Sequence, residues 1–206
     1  MNKMKIDNPF FEAMGRLGDI IIVNLLFLVC SLPVITAGAS MTAMYEVFQK
    51  MEEGTEGAVA GTFLRCFRKK CRPCIPVWLC MLGSGAVLVF NMLFLGHVGM
   101  NGIWRLVGIG TGCLIFLWEL VGAWIFPVMA AEDMACAECL KKAARRAVLH
   151  FPLTLIMVVF NNILIICLAV DIFYVMAAAP MYLVFGFGLT AYVNTKVIKK
   201  YTGGLH

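Results

Sequence analysis

The stretch IPVWLCMLGSGAVLVFNMLFLG, from Ile75 to Gly96, contains no charged residue and is long enough to cross a lipid bilayer as a helix. Over the whole chain of 206 residues, hydrophobic residues make up 62% and charged residues only 14%. A soluble domain has about a quarter of its residues charged, so this chain has too few charges to cover a water-facing surface. The composition therefore excludes a soluble domain, a secreted disulfide scaffold, a disordered tail and a nucleic-acid module. It predicts an all-α, polytopic helical membrane bundle.

Hydropathy predicts four membrane segments in the later part of the chain, at 75–97, 104–130, 151–170 and 172–194. The link at 98–103 and the link around Asp171 contain no Lys or Arg. Short loops without basic residues are typical of the outer side of a membrane. These four segments are therefore expected to form two helical hairpins with outside turns.

The first fifty residues allow two ways of threading the membrane. Pro33 and Gly38 interrupt an apolar region, because proline disfavours a continuing helix and glycine permits a turn. Either one segment ends near residue 36, or segments 10–33 and 37–51 form a hairpin that turns between Pro33 and Gly38. We favour the hairpin, although its second arm is only about 22 Å long against a hydrocarbon core of about 30 Å. The chain is thus expected to be a single integral-membrane domain of five or six segments.

Basic residues account for the net charge of +5, and their positions predict the orientation. Loops rich in Lys and Arg stay on the cytoplasmic side, so the two basic linkers and the C-terminus are expected in the cytoplasm. Both linkers, 62–72 and 138–149, are predicted to be amphipathic helices at the membrane surface. Their basic residues are candidates for docking anionic lipids or a protein partner, not nucleic acid. These residues are Arg65, Arg68, Lys69, Lys70, Lys141, Lys142, Arg145 and Arg146.

Several polar residues are predicted within the membrane, and four of them are candidate functional residues: Glu119, Asn161, Asn162 and Glu46. Glu119 lies in the middle of segment 104–130, where a carboxylate is costly and is often functional. Asn91, Asn161 or Asn162 could pair with it; the last two also suit hydrogen bonding between helices. Glu46 lies one helical turn from Lys50, a spacing that also suits an interfacial ion pair.

Nine cysteines raise the question of a metal or redox site. Two C-x-x-C pairs, Cys71/Cys74 and Cys136/Cys139, could together bind zinc through four thiolates. The spacing of a zinc ribbon is missing, however, and cysteine in apolar segments acts as a small hydrophobic residue. The sequence also contains no Ser-His-Asp set, no paired catalytic carboxylates and no phosphate-binding loop. We therefore expect no bound metal, no cofactor and no enzymatic activity.

Three stretches together resemble the YesL-like family of small bacterial membrane proteins. The first is Asn8-Pro9-Phe10 leading to SLPVITAGASMTAMY at 31–45, and the second is FLRCFRKK at 63–70. The third is WIFPVMAA at 124–131, followed by LKK at 140–142 and HFPLTL at 150–155. The resemblance covers nearly the whole chain and supplies no catalytic residues.

The resemblance implies an uncharacterised plasma-membrane protein of Gram-positive type, accessory to carbohydrate uptake. On that basis the leading hypothesis is a non-enzymatic interaction partner of an ABC permease or a sensor kinase. The alternative hypothesis is a small transporter or channel with Glu119 on a polar path through the membrane.

Overall fold

The computed structural model describes residues 9–55, 57–98, 102–132, 134–162 and 185–202. These ranges contain helices and no strand, which confirms the predicted all-α class. The second half of segment 151–170, the turn around Asp171 and most of segment 172–194 lie outside the described residues. The helices are α1 (Pro9–Ser31), α2 (Ala37–Glu53), α3 (Val59–Val98), α4 (Ile103–Ala131), α5 (Cys136–Leu149), α6 (Phe151–Asn161) and α7 (Phe187–Thr202).

Helices α1 and α2 form an antiparallel hairpin, joined by a 3₁₀ turn at Val34–Thr36. Two hydroxyl groups close it: Thr36 Oγ1 donates to the carbonyl oxygen of Cys30 at 2.8 Å, and Ser40 Oγ donates to that of Phe27 at 3.0 Å. Helices α1 and α2 therefore form a hairpin in the folded chain, and its threading through the membrane stays a prediction. Most of α2 is buried, because α1, α3, α4 and α7 surround it.

Helix α3 packs antiparallel to α2 along the whole length of α2. Lys50 Nζ lies 3.4 Å from Cys66 Sγ, and Cys74 Sγ lies 3.4 Å from Thr42 Oγ1. Basic linker 62–72 and membrane segment 75–97 were predicted as separate elements, but they form one helix with Pro73 and Pro76 inside it. Each proline removes a backbone hydrogen bond. Packing against α2 on both sides of the prolines keeps the two parts in line.

Helix α4 returns antiparallel to α3, and α5 and α6 follow with a bend of 106° between them. The bend is held at Thr154, whose hydroxyl donates to the carbonyl oxygens of Ala147 and His150 and accepts a 2.8 Å hydrogen bond from Trp124 Nε1. Trp124 is fully buried in α4. The bend therefore sets the direction of α6, because it is tied to the core of the bundle.

Helix α7 completes the bundle beside α1 and α2. Its first turn is fixed where the Gly188 backbone N–H donates to Asn24 Oδ1 at 2.8 Å, and its last turn is fixed where Lys199 pairs with Glu52. Gln49 Nε2 donates to the carbonyl oxygen of Pro127 at 3.1 Å. The C-terminal ends of α2, α4 and α7 and the N-terminal end of α3 thus lie at one end of the bundle, which we call the basic end.

Within the described ranges, three helices are long and apolar enough to cross a membrane, or four if the bent pair α5–α6 counts as one segment. They include Met14–Ser31 of α1, Val59–His97 of α3 and Ile103–Ala131 of α4. These helices indicate a membrane protein. Helix α2 is not among them, so the five or six membrane segments predicted from the sequence are not established.

Candidate functional site

A cavity of about 180 Å³ lies among α2, α3, α4, α6 and α7. Helices from both ends of the sequence line it, so no local stretch of sequence reveals it. Its walls combine aromatic rings with a few polar groups, as in many small-molecule sites. The lining residues that matter chemically are Tyr45, Trp78, Trp118, Glu119, Asn161 and Thr190.

Glu119 is half-buried on α4 and borders this cavity. Asn162 Nδ2 at the end of α6 donates to Glu119 Oε2 at 3.2 Å and also to the carbonyl oxygen of Val158 at 3.0 Å. Of the three asparagines considered from the sequence, the structure thus pairs Asn162 with the carboxyl group. The partner is a neutral amide, which supplies a hydrogen bond but no counter-charge.

Asn161 joins a second polar chain beside the cavity. Asn194 Nδ2 on α7 lies 3.2 Å from Asn161 Oδ1 and 3.2 Å from the hydroxyl oxygen of Tyr45. Asn194 is buried, so this amide links α2, α6 and α7 inside the bundle. The sequence analysis missed both Tyr45 and Asn194. The sequence could have indicated Asn194, because it is a polar residue at the end of predicted segment 172–194. The sequence around Tyr45 does not set it apart as a cavity residue.

Two tryptophans on the cavity wall are fixed in the same way. Trp78 Nε1 donates to the carbonyl oxygen of Val34 at 2.7 Å, and Trp118 Nε1 donates to Ser84 Oγ at 3.0 Å. Each indole also lies against a glycine: a Cβ at Gly38 would come within 2.6 Å of Trp78, and one at Gly85 within 3.0 Å of Trp118. The rings are therefore held in position before any ligand arrives.

Gly38 was predicted to permit the turn of the hairpin, but the structure gives it a different role. It lies in the first turn of α2, is buried, and is not among the described glycines with positive φ. The turn of the hairpin is made instead by the residues around Pro33 and the 3₁₀ segment. Gly38 lets the backbone of α2 approach the Trp78 ring, so its lack of a side chain serves packing rather than turning.

Glu46 lies away from the cavity lining. Its Oε1 accepts a 2.8 Å ion pair from Lys50 one turn later on α2, near the basic end. This is the ion pair that the sequence spacing allowed. Glu46 binds the Lys50 ammonium group, which also contacts Cys66 on α3. Glu46 therefore helps to hold α2 against α3.

The basic residues proposed for docking divide into two groups. Lys70 is only 3% exposed, and its Nζ donates to the carbonyl oxygen of Met129 at 2.6 Å, so including it in a docking surface was wrong. Lys142 pairs with Glu132. Arg146 is half-buried, and burial lowers the pKa of its guanidinium group, while the nearby carboxylate of Glu132 acts in the opposite direction. The exposed basic residues on α3 and α5 form what we call the basic surface: Arg65, Arg68, Lys69, Arg72, Lys141 and Arg145.

The four cysteines of the C-x-x-C pairs do not form the tetrahedral set that a zinc site requires. Among the residues described by the structure, no three His, Cys, Asp or Glu side chains could together hold a metal ion. Cys74 is buried and donates to Thr42, while buried Cys139 lies 3.9 Å from the carbonyl oxygen of Ile125. Burial, together with the neighbouring thiols of Cys136 and Cys74, raises the pKa of Cys139 to about 11.

Comparison with known proteins gives one match. Residues 20–92 match the family described as "Protein of unknown function, DUF624". No curated protein matches, and no solved structure matches. The matched stretch runs from α1 through most of α3, and it includes Tyr45 and Trp78 but not Glu119. This match and the resemblance seen in the sequence both point to an uncharacterised family. The matched family does not have the YesL-like name.

Proposed function

We propose that this chain is a non-enzymatic accessory protein of the plasma membrane that binds a carbohydrate ABC uptake system. The observation that supports the proposal is the basic surface, which stands exposed on two helices that are rigidly packed on the bundle. The resemblance noted above adds the type of partner, an ABC permease or a sensor kinase. Clustered exposed charge favours docking to a complementary acidic patch.

In this proposal the basic end faces the cytoplasm, so the C-terminus is cytoplasmic. Helix α5 then lies along the membrane surface, because it bends 106° away from α6. It exposes Leu140, Val148 and Leu149 together with Lys141 and Arg145. Apolar side chains beside Lys and Arg suit the boundary between acyl chains and anionic headgroups, so α5 also contacts anionic lipid.

The experiment is a pull-down of the tagged chain from membranes, read by mass spectrometry. We expect near-stoichiometric recovery of an ABC permease or a sensor kinase with the native chain, and loss of it with Arg65→Gln/Arg68→Gln. Arg105→Gln is the matched control, because Arg105 is exposed on the first turn of α4 at the opposite end of α4 from the basic end. Isolation of the native chain without either partner in mild detergent counts against the proposal.

The cavity beside Glu119 favours a second candidate function, a small transporter. Glu119 and Asn161 place polar groups between helices that are otherwise apolar, which is a feature of substrate pathways. The transporter function is supported if the native chain gives proton-coupled uptake into liposomes and Glu119→Gln abolishes that uptake. Retention of the same uptake rate in Glu119→Gln excludes Glu119 from the path.

A further inference from the structure

We infer that the cavity among α2, α3, α4, α6 and α7 binds a small organic cation, an amine or a quaternary ammonium, with Glu119 as its counter-charge. The inference rests on the lining of the cavity alone. It holds whether the cation is carried across the membrane or is sensed in place. It is independent of the accessory role proposed above.

Charge is the first argument. Glu119 lines the cavity from the middle of an apolar helix, and it accepts a hydrogen bond from the neutral amide of Asn162. None of the residues lining this cavity, all within the described part of the chain, carries a positive charge. A carboxyl group in a medium of low dielectric constant is either protonated or paired with a counter-charge. A bound cation supplies it.

The aromatic walls give the second argument. Trp78, Trp118 and Tyr45 line the same cavity as the carboxyl group, and the two indoles are held by hydrogen bonds from their N–H groups. The faces of aromatic rings attract cations, tryptophan most strongly, and such rings around an ammonium group form a familiar recognition cage. Because the rings are already in place, little ordering is needed on binding.

The lining of the cavity suits an organic cation better than a bare metal ion. The cavity of about 180 Å³ is much larger than a single water molecule needs. Hard cations such as Ca²⁺ need about six to eight oxygen ligands at short distance. Here the side-chain oxygens of the lining come from only four residues, and those of Tyr45 and Asn161 each accept a hydrogen bond from Asn194. An organic cation of several heavy atoms fits both the space and the apolar lining.

The test uses the full chain purified in a non-ionic maltoside detergent, titrated calorimetrically with choline and with 3,3-dimethylbutan-1-ol. The second probe has nearly the same shape as choline but no charge. We expect saturable binding of choline, and binding of the neutral probe at least about tenfold weaker, since the neutral probe makes neither the cation–π contact nor the ion pair with Glu119. Equal affinity for the two probes, or no saturable binding of choline, overturns the inference.

Glu119→Gln identifies the counter-charge, and its amide oxygen can still accept the hydrogen bond from Asn162. We expect it to weaken choline binding at least about tenfold and to leave binding of the neutral probe unchanged. Glu138→Gln is the matched control, because Glu138 is exposed on α5 and does not line the cavity. Unchanged choline affinity in Glu119→Gln overturns the role of Glu119. The comparison of the two probes on the native chain remains decisive even if a variant fails to fold.

Discussion

Lys70 on α3 donates a 2.6 Å hydrogen bond from Nζ to the carbonyl oxygen of Met129, in the last turn of α4. The last four carbonyl groups of a helix have no partner within the helix, and they form the negative end of its dipole. The buried ammonium group of Lys70 satisfies one of them. A residue from an apparently water-facing basic run therefore holds α3 and α4 together.

We predict that Lys70→Met lowers the free energy of unfolding by about 1–3 kcal/mol, because the Met129 carbonyl group stays buried without its donor. The measurement is equilibrium unfolding in mixed micelles. Arg68→Met is the matched control, since Arg68 is exposed two residues earlier on the same helix, and its stability should remain native. Equal losses in the two variants contradict the structural role of Lys70.

Gly38→Ala should destabilise the bundle by about 1–3 kcal/mol, as is usual when a methyl group is forced into a packed interior. The added Cβ comes within 2.6 Å of both Cβ and Cγ of Trp78, which cannot swing away as the end of a flexible chain can. Gly61→Ala on α3 has open space around it and should be neutral or gain up to about 1 kcal/mol of helix propensity. The measurement is thermal unfolding of both variants in detergent. A native Tm for Gly38→Ala contradicts the predicted loss of stability.

The α1–α2 hairpin should turn before it reaches the far side of the bilayer. Its turn is level with Trp78, and α3 continues from there to Val98, a distance of about 30 Å. Leu32, Val34 and Ile35 at the turn are exposed and apolar, as hydrocarbon requires. In a chain whose cysteines are replaced by alanine, a membrane-impermeant maleimide applied to intact cells should label His97→Cys but not Ile35→Cys. Labelling of both at similar rates shows instead that α1 and α2 cross completely.

The alkylation rate of Cys139 should keep rising with pH to about pH 11. The raised pKa keeps the thiol protonated below that value, so at pH 8 only about one molecule in a thousand carries the reactive thiolate. The measurement is the rate of iodoacetamide reaction of a chain with Cys139 as its only cysteine, from pH 7 to 11. Limited access lowers every rate by the same factor and leaves the profile intact. A plateau by pH 9, near the pKa of an ordinary cysteine, contradicts the prediction.

The sequence predicts the helical class well, because long uncharged stretches such as Ile75–Gly96 have few other stable forms. It also identifies Glu119 and the asparagines, since polar residues stand out in apolar segments. It does not predict that Lys70 turns inward while Arg68 stays exposed, because that depends on where α4 ends, about sixty residues later. Nor does it predict the cavity, which needs Tyr45, Trp78 and Glu119 from three different helices.

The central position of α2 has a consequence for how the chain is made. Helix α2 contains Thr42, Glu46, Gln49 and Lys50 and, with 17 residues, is not among the helices long and apolar enough to cross a membrane. Two of its polar side chains find their partners on later helices, Thr42 at Cys74 and Gln49 at Pro127. A ribosome delivers α2 well before either partner exists. Helix α2 therefore reaches its buried position only after α3 and α4 have been synthesised.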